Sequence, residues 1–347
     1  MRVTDLYISG LGTYLPEAVS VEQAVAEGLY PELEAELHEL GGAAVAGDTP
    51  APEMALYAAQ HAFKRCGRRP TDLDLLLYVA TWHQGPEGWL PHSYLQRHLT
   101  GGGMTASEIH LGCNGMFSAL ELAVGHLRAE SGRRAALLVA ADNYGTPMTD
   151  RWRMGPGYIC GDAASALVLT KDEGFAQLAA VRSATVPEAE ELHRGAEPLF
   201  PPGILDGRGL DFGRRNEEYR QRSRSDGGGT LALFTIQQRL TEVIDATLAD
   251  AGITVGDLTR VAFMNYARDI VEQRCMVPLD LPLEKSTWEF GRTIGHCGAS
   301  DQILSLDHLV TTGRLGPGDH MLLLGTGPGV TLSCAVVKML SAPPWAA

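Results

Sequence analysis

The sequence contains no cysteine pair spaced as CxxC and no HExxH stretch, so no metal site can be read from its spacing. Neither a metal nor any other cofactor is expected. It also lacks an apolar run approaching the ~18 residues that a membrane span requires. The longest runs, such as Ala135–Ala141 and Met321–Leu324, are of strand length, so no membrane partner is expected. The first segment, Met1–Pro16, has Asp5 and interspersed glycines where an export signal would be continuously apolar. Positive charge is scarce: 28 Lys and Arg against 42 Asp and Glu leave a net charge of −14, a field that repels phosphate backbones and anionic bilayers. Nucleic acid is therefore excluded as a natural partner. The six cysteines are scattered through a chain large enough to fold without disulfides. They read as reduced thiols of a cytoplasmic protein.

What is present is a globular composition. The 347 residues are 45% hydrophobic and 20% charged, with 40 Gly and 19 Pro, which suits a sizeable core and many tight turns. At roughly 150 residues per domain, two folded units are expected. Strand-length apolar runs at Leu6–Gly10, Leu75–Ala80, Ile109–Leu111, Ala136–Ala140 and Ala166–Leu169 alternate with helical spacing at Ala51–Arg65 and Phe117–Leu127. This is an α/β pattern, and it repeats. Cys113 opens a helical stretch that leads through a polar turn to the strand Ala136–Ala140. His296 precedes a similar stretch, Asp301–Thr312, which leads to the strand His320–Gly325. The chain reads as two copies of one βα set, residues 1–175 and 176–347. Continuous apolar strands suit parallel pairing between two helical layers. The Arg-dense, Gly-rich insertion at 203–229, with Arg208, Arg214, Arg215, Arg220, Arg222 and Arg224, reads as a solvated surface loop. The functional alternative is a lid or a landing site for an acidic carrier protein.

The chemistry concentrates at two glycine-flanked turns. In IHLGCNG, 109–115, Cys113 lies between Gly112 and Gly115 at a strand-to-helix turn. The helix dipole there favours an anionic sulfur, and backbone N–H groups can face an oxyanion. In GRTIGHCGASD, 291–301, the matching turn presents His296, with Asp301 in the first turn of the next helix. If the halves are related by pseudo-symmetry, the two strand ends face one pocket, and Cys113, His296 and Asp301 form a nucleophile, a base and its orienting carboxylate. The glycines of LLLGTGPGVTLS, 322–333, allow close backbone approach and a second oxyanion N–H. As a nucleotide motif that segment fails, because a strand rather than a helix follows it. Trp82, Trp89, Met116 and Phe117 are candidate pocket walls. His83 and His92 flank the tryptophans in a loop that is either pocket lining or aromatic structure.

Over nearly its whole length the chain resembles the thiolase superfamily, specifically the ketoacyl synthase III group. The likeness is carried by GLGTYLPE, VATWHQGPEGWLPHSYLQ, the Cys113 turn, GYICGDAASALVL and the terminal glycine loop. The resemblance implies a thiolase-like five-layer αβαβα fold of two pseudo-duplicated halves, a homodimer, and a cysteine that takes an acyl group from a thioester. It further implies that Leu90 reaches toward the partner's site and that Gly329 supplies an oxyanion N–H beside that of Cys113. Condensing members carry a histidine where FMNYARD has Asn265, and an asparagine where this chain has His296. The Cys113, His296 and Asp301 set instead resembles the ketoacyl-synthase-III-like acyltransferases, which move acyl groups onto oxygen or nitrogen of natural products. On that reading Asn265, Leu90, Trp82 and Phe117 are substrate-binding candidates. The donor is an acyl carrier protein or coenzyme A thioester, acting as substrate, and the acceptor is a small-molecule hydroxyl or amine, as of a glycosylated polyketide or aminocyclitol. The family's Trp/Arg segment near residue 35 is not recognisable, which favours a carrier-borne donor. Two other readings stand beside this one. Decarboxylative condensation is open if Asn265 and His296 exchange roles, whereas a silent partner subunit is disfavoured by the intact Cys113.

Overall fold

The computed structural model describes residues 1–81, 83–145, 147–201, 209–226 and 228–346. Among the described residues there are eleven strands: β1 (Tyr7–Tyr14), β2 (Ala18–Ser20), β3 (Gly42–Ala44), β4 (Leu75–Ala80), β5 (Thr105–His110), β6 (Ala135–Asp142), β7 (Ala163–Thr170), β8 (Ala176–Thr185), β9 (Leu258–Ala262), β10 (His320–Gly327) and β11 (Thr331–Met339). β2 and β3 form a small antiparallel ribbon. The other nine run in the order β5-β4-β6-β7-β1-β8-β11-β10-β9. The sheet passes its middle through only two register pairs, Tyr7↔Gln177 and Ile8↔Ala176, so it behaves as two half-sheets.

The two half-sheets share a topology. In the first, β4, β6, β7 and β1 are successive neighbours. In the second the same places are taken by β9, β10, β11 and β8. β5 extends the first half beyond β4 by parallel pairing. On the corresponding side of β9 the described residues form an isolated parallel bridge, Val261↔Ser286.

Strict alternation along the strands sorts their side chains into layers. Leu75, Leu77 and Val79 of β4 point into a central core, and Leu76, Tyr78 and Ala80 into an outer one. β10 does the same, sending Met321 and Leu323 to the central core and Leu322 and Leu324 to the opposite outer core. The central core holds the buried faces of helices Gly115–Ala129 and Asp301–Thr311 between the half-sheets. Helix Ala51–Cys66 covers the outer face of the first half-sheet, and helix Gly228–Ala251 that of the second. The stack is therefore helix, sheet, helix, sheet, helix: the five-layer thiolase-like arrangement. A strand buried on both faces has no polar side to show, which is why β4, β6 and β7 read as mostly apolar runs without polar alternation.

The 203–229 reading needs correction. Within its described part, residues 212–226 form a helix, Phe212–Asp226, rather than a loop. Its glycines cluster at the ends, leaving 214–226 free of Gly and Pro and rich in Arg, Glu and Gln, all good helix formers. Arg208 lies outside the described residues. Among the described residues no helix is long and apolar enough to cross a membrane.

Candidate active site

Cys113 sits where β5 ends, in a single 3₁₀ turn, Gly112–Asn114, that runs directly into helix Gly115–Ala129. Gly112 has φ +52°, and a Cβ there would come within 2.5 Å of Pro328 Cδ. Only glycine both adopts this conformation readily and lets the Pro328–Gly329 loop close on the turn. That loop is thereby held beside Cys113, where Gly329 is expected to supply its N–H. Asn114 anchors the turn from below, its Nδ2 donating to the Thr331 carbonyl (2.9 Å) and Ser333 Oγ (3.2 Å). Gly325 is small for the same reason, since a Cβ there would meet Asn114 Oδ1 at 2.5 Å.

His296 arrives from the other half of the chain. Its N–H donates to the Ile159 carbonyl (2.7 Å) and its carbonyl accepts from Gly161 N–H (3.0 Å). The GYICGDA segment is thus a backbone clamp on the imidazole. Cys113 Sγ lies 2.8 Å from His296 Nε2, and His296 Nδ1 lies 2.5 Å from Asp301 Oδ2. A carboxylate only accepts, so Nδ1 carries its proton toward Asp301, and Nε2 faces the sulfur. The three side chains form one hydrogen-bonded line across the interface of the two halves.

Asp301 is buried, and the other three of its four donors come from backbone or amide. Asn265 N–H reaches Oδ2 (2.9 Å), while Asn265 Nδ2 (3.0 Å) and Cys297 N–H (2.7 Å) reach Oδ1. This corrects the placement of Asn265 as a substrate contact. Its second amide hydrogen goes to the Gly295 carbonyl (2.8 Å), so both are spent on holding the Asp301 turn. Burial alone would lower the His296 pKa, but the charges of Cys113 and Asp301 and their hydrogen bonds override it and raise it well above the ordinary imidazole range. The raised His296 pKa suits an imidazole that takes up a proton at Nε2, the atom facing the Cys113 sulfur.

Two tyrosines confine that imidazole. Tyr158 and Tyr266 stack on each other with ring centroids 4.9 Å apart, and both meet the His296 ring edge-on, at 5.5 and 5.1 Å. Behind the site, buried Asp142 accepts from Thr81 N–H (2.8 Å), Thr81 Oγ1 (2.9 Å) and Gln84 Nε2 (3.1 Å). Burial pushes its carboxyl up to about 7, against the pull of the Thr81 bonds and the His296 charge. Sequence reasoning missed these residues. Tyr158 and Tyr266 sit inside motifs it used, GYICGDA and FMNYARD, but no spacing shows that two distant segments face one ring.

The remaining candidates scatter. Phe117 is 1% exposed and belongs to the central core, a correction to its reading as a pocket wall. It lies under β10, where a Gly325 Cβ would meet its ring edge at 2.7 Å. Leu90 stands 48% exposed ahead of helix Pro91–Leu95. Trp82 lies outside the described residues. Of the arginines considered for an acidic partner, Arg214 is paired to Glu197 and Glu218, Arg215 to Glu197, and Arg222 to Glu191. Much of that charge is neutralised within the chain.

Comparison with known proteins places this geometry in context. The family described as 3-oxoacyl-[acyl-carrier-protein] synthase III matches residues 107–185, and its C-terminal counterpart residues 248–339. The chain superposes on the solved structure of ChlB3, an acyltransferase, with a TM-score of 0.94 and 63% identity, covering 99% of this chain and 100% of that one. It is 26% identical over 344 residues to the β-ketoacyl-[acyl-carrier-protein] synthase III of Xanthomonas campestris pv. campestris (strain 8004), covering 95% of this chain and 97% of that protein. The 3-oxoacyl-[acyl-carrier-protein] synthase III of Aquifex aeolicus VF5 shares the fold at a TM-score of 0.77 and 20% identity, over 96% of this chain and 99% of that one.

Proposed function

The chain belongs to the 3-oxoacyl-[acyl-carrier-protein] synthase III family of the thiolase superfamily, a group of acyl-transferring and condensing enzymes, and from that premise we propose that it is an acyltransferase working through an acyl-Cys113 intermediate. The donor is an acyl thioester on a carrier protein or coenzyme A, and the acceptor is a hydroxyl or amine of a secondary metabolite. The observation that carries this reading is the unbroken line Cys113–His296–Asp301.

The steps follow from the geometry. His296 Nε2 takes the Cys113 proton, and the thiolate attacks the thioester carbonyl. The oxyanion is received by the N–H groups of Cys113 and Gly329. The donor thiol leaves with the proton returned by His296. In the second half, the acceptor O–H or N–H gives its proton to Nε2 as the heteroatom attacks acyl-Cys113, and collapse releases the Cys113 sulfur. Asp301 keeps Nδ1–H fixed throughout. On this reading the chain works as a homodimer, and the exposure of Leu90 leaves it free to reach the partner's pocket.

Decarboxylative condensation remains a second reading, supported by the β-ketoacyl synthase relative. It requires two N–H donors aimed at a developing enolate oxygen. Both amide hydrogens of Asn265 are engaged and His296 Nε2 faces the sulfur, so the donors that reading needs are occupied.

Intact-protein mass spectrometry with a panel of acyl thioesters, malonyl included, tests the proposal. Wild type acquires an adduct of the donor's full acyl mass and Cys113→Ala does not. His296→Ala still becomes acylated but turns the adduct over about 100-fold more slowly. Equal turnover by His296→Ala, or loss of the carboxylate from a malonyl adduct, overturns acyl transfer.

A further inference from the structure

β5 and the loop after β4 assemble a cluster away from the Cys113 line. Glu108 and His110 lie two apart on β5, so strand alternation places both on one face. His83 comes from the loop beyond β4, and its Nδ1 lies 3.9 Å from Glu108 Oε1, while His110 Nε2 lies 2.6 Å from the same oxygen. The donor atoms of all three fall within 4.8 Å of one another. We propose that His83, Glu108 and His110 form a divalent transition-metal site that ties the loop bearing Leu90 to the edge of the sheet.

Three features of the cluster support this. The first is the tautomer of His83. Its Nε2 lies 3.1 Å from the Pro86 carbonyl, which only accepts, so Nε2 carries the proton and Nδ1 presents a lone pair toward Glu108. In the neutral ring that lone pair is free to bind a metal ion shared with Glu108, and a ring nitrogen fixed by a backbone carbonyl is the usual support of a metal-binding imidazole. The second is Glu108 itself: its side chain is 8% exposed, and its described partners are imidazoles, with no Lys or Arg. The third is His92. Among the described residues its Nδ1 is buried with no hydrogen-bond partner, on helix Pro91–Leu95, which follows the His83 loop and packs against β5.

Two imidazoles and a carboxylate suit Zn²⁺, Co²⁺, Ni²⁺ or Fe²⁺ rather than Mg²⁺ or Ca²⁺. An ion about 2.0–2.2 Å from each donor needs them roughly 3–4 Å apart, so modest side-chain turns close the set. No sequence motif marks this site, because its members come from segments separated by a helix and joined only by the pairing of β4 with β5. The assignment departs from the expectation of no metal, and it is independent of the acyl-transfer reading.

The test must avoid Cys113 and His296, which could themselves take a soft metal. Chelator-treated Cys113→Ala protein is titrated with Co²⁺ and followed by its visible absorption, with Zn²⁺ competition and elemental analysis. About one ion per chain is expected, with a melting temperature that rises on binding. Adding His110→Ala, at a side chain 43% exposed, abolishes binding, as does adding His83→Ala. His98→Ala, a neighbouring histidine whose ring lies 4.4 Å from that of Tyr94, leaves it intact. No Co²⁺ or Zn²⁺ bound to the Cys113→Ala chain at micromolar metal, or binding retained in both His83→Ala and His110→Ala, overturns the site.

Discussion

Asn265 stands where condensing relatives are expected to carry a histidine, and its amide is the clearest statement this chain makes about its chemistry. It spends one hydrogen on Asp301 and one on the Gly295 carbonyl, and its own N–H on Asp301 again. It acts through Asp301 as a positioning residue. Asn265→Ala is expected to slow transfer from acyl-Cys113 by about 10- to 100-fold and to shift the pH profile of transfer, because Asp301 then holds His296 less firmly. An unshifted profile with unchanged turnover would reduce Asn265 to packing. Asp142 offers a test of a different kind. Its carboxyl rises from 3.8 in the unfolded chain to about 7 in the fold, so the folded state prefers the proton. Its contribution is therefore favourable below about pH 4 and is lost as pH climbs toward 7. In Asp142→Asn the Thr81 hydroxyl can turn to accept from the new amide. The melting temperature of that variant relative to wild type should therefore improve between pH 4 and 7, as followed by calorimetry.

Elements matter here through how they end. The turn Gly112–Asn114 allows β5 to pass into a helix with Cys113 at its start, and it exists because Gly112 accepts a positive φ and the approach of Pro328. Gly112→Ala is expected to cost about 1–3 kcal/mol in chemical denaturation and to pull the Gly329 loop off Cys113, slowing acylation more than donor binding. The turn was legible in the sequence, since a cysteine between glycines after an apolar run and before helical spacing has few other readings. Helix Phe212–Asp226 was not. Its flanking glycines outweighed, in a composition-based reading, the Arg and Glu residues whose i,i+4 pair, Arg214 with Glu218, supports a helix.

The two halves of the molecule share one interior. Met321 and Leu323 of β10 pack in the same central core as Leu75, Leu77 and Val79 of β4, around helices from both halves. Fragments 1–175 and 176–347 expressed apart are therefore expected to melt without a cooperative transition. Co-expressed, they should regain both the transition and thioester labelling of Cys113; independent two-state melting of either fragment would refute the shared core. The repeated βα order, the buried strands and the two glycine-flanked turns were all readable from one dimension, because periodicity and turn chemistry are local properties of the chain. By itself the sequence determined that Cys113 ends one strand unit and that His296 and Asp301 begin another. Only the tertiary structure decided that these ends meet, that Asn265 supports Asp301 instead of facing substrate, that Phe117 is core, and that His83 joins Glu108 and His110. Each of those outcomes depends on distances between residues far apart in the chain, set by packing two half-sheets against common helices, and no local propensity encodes them.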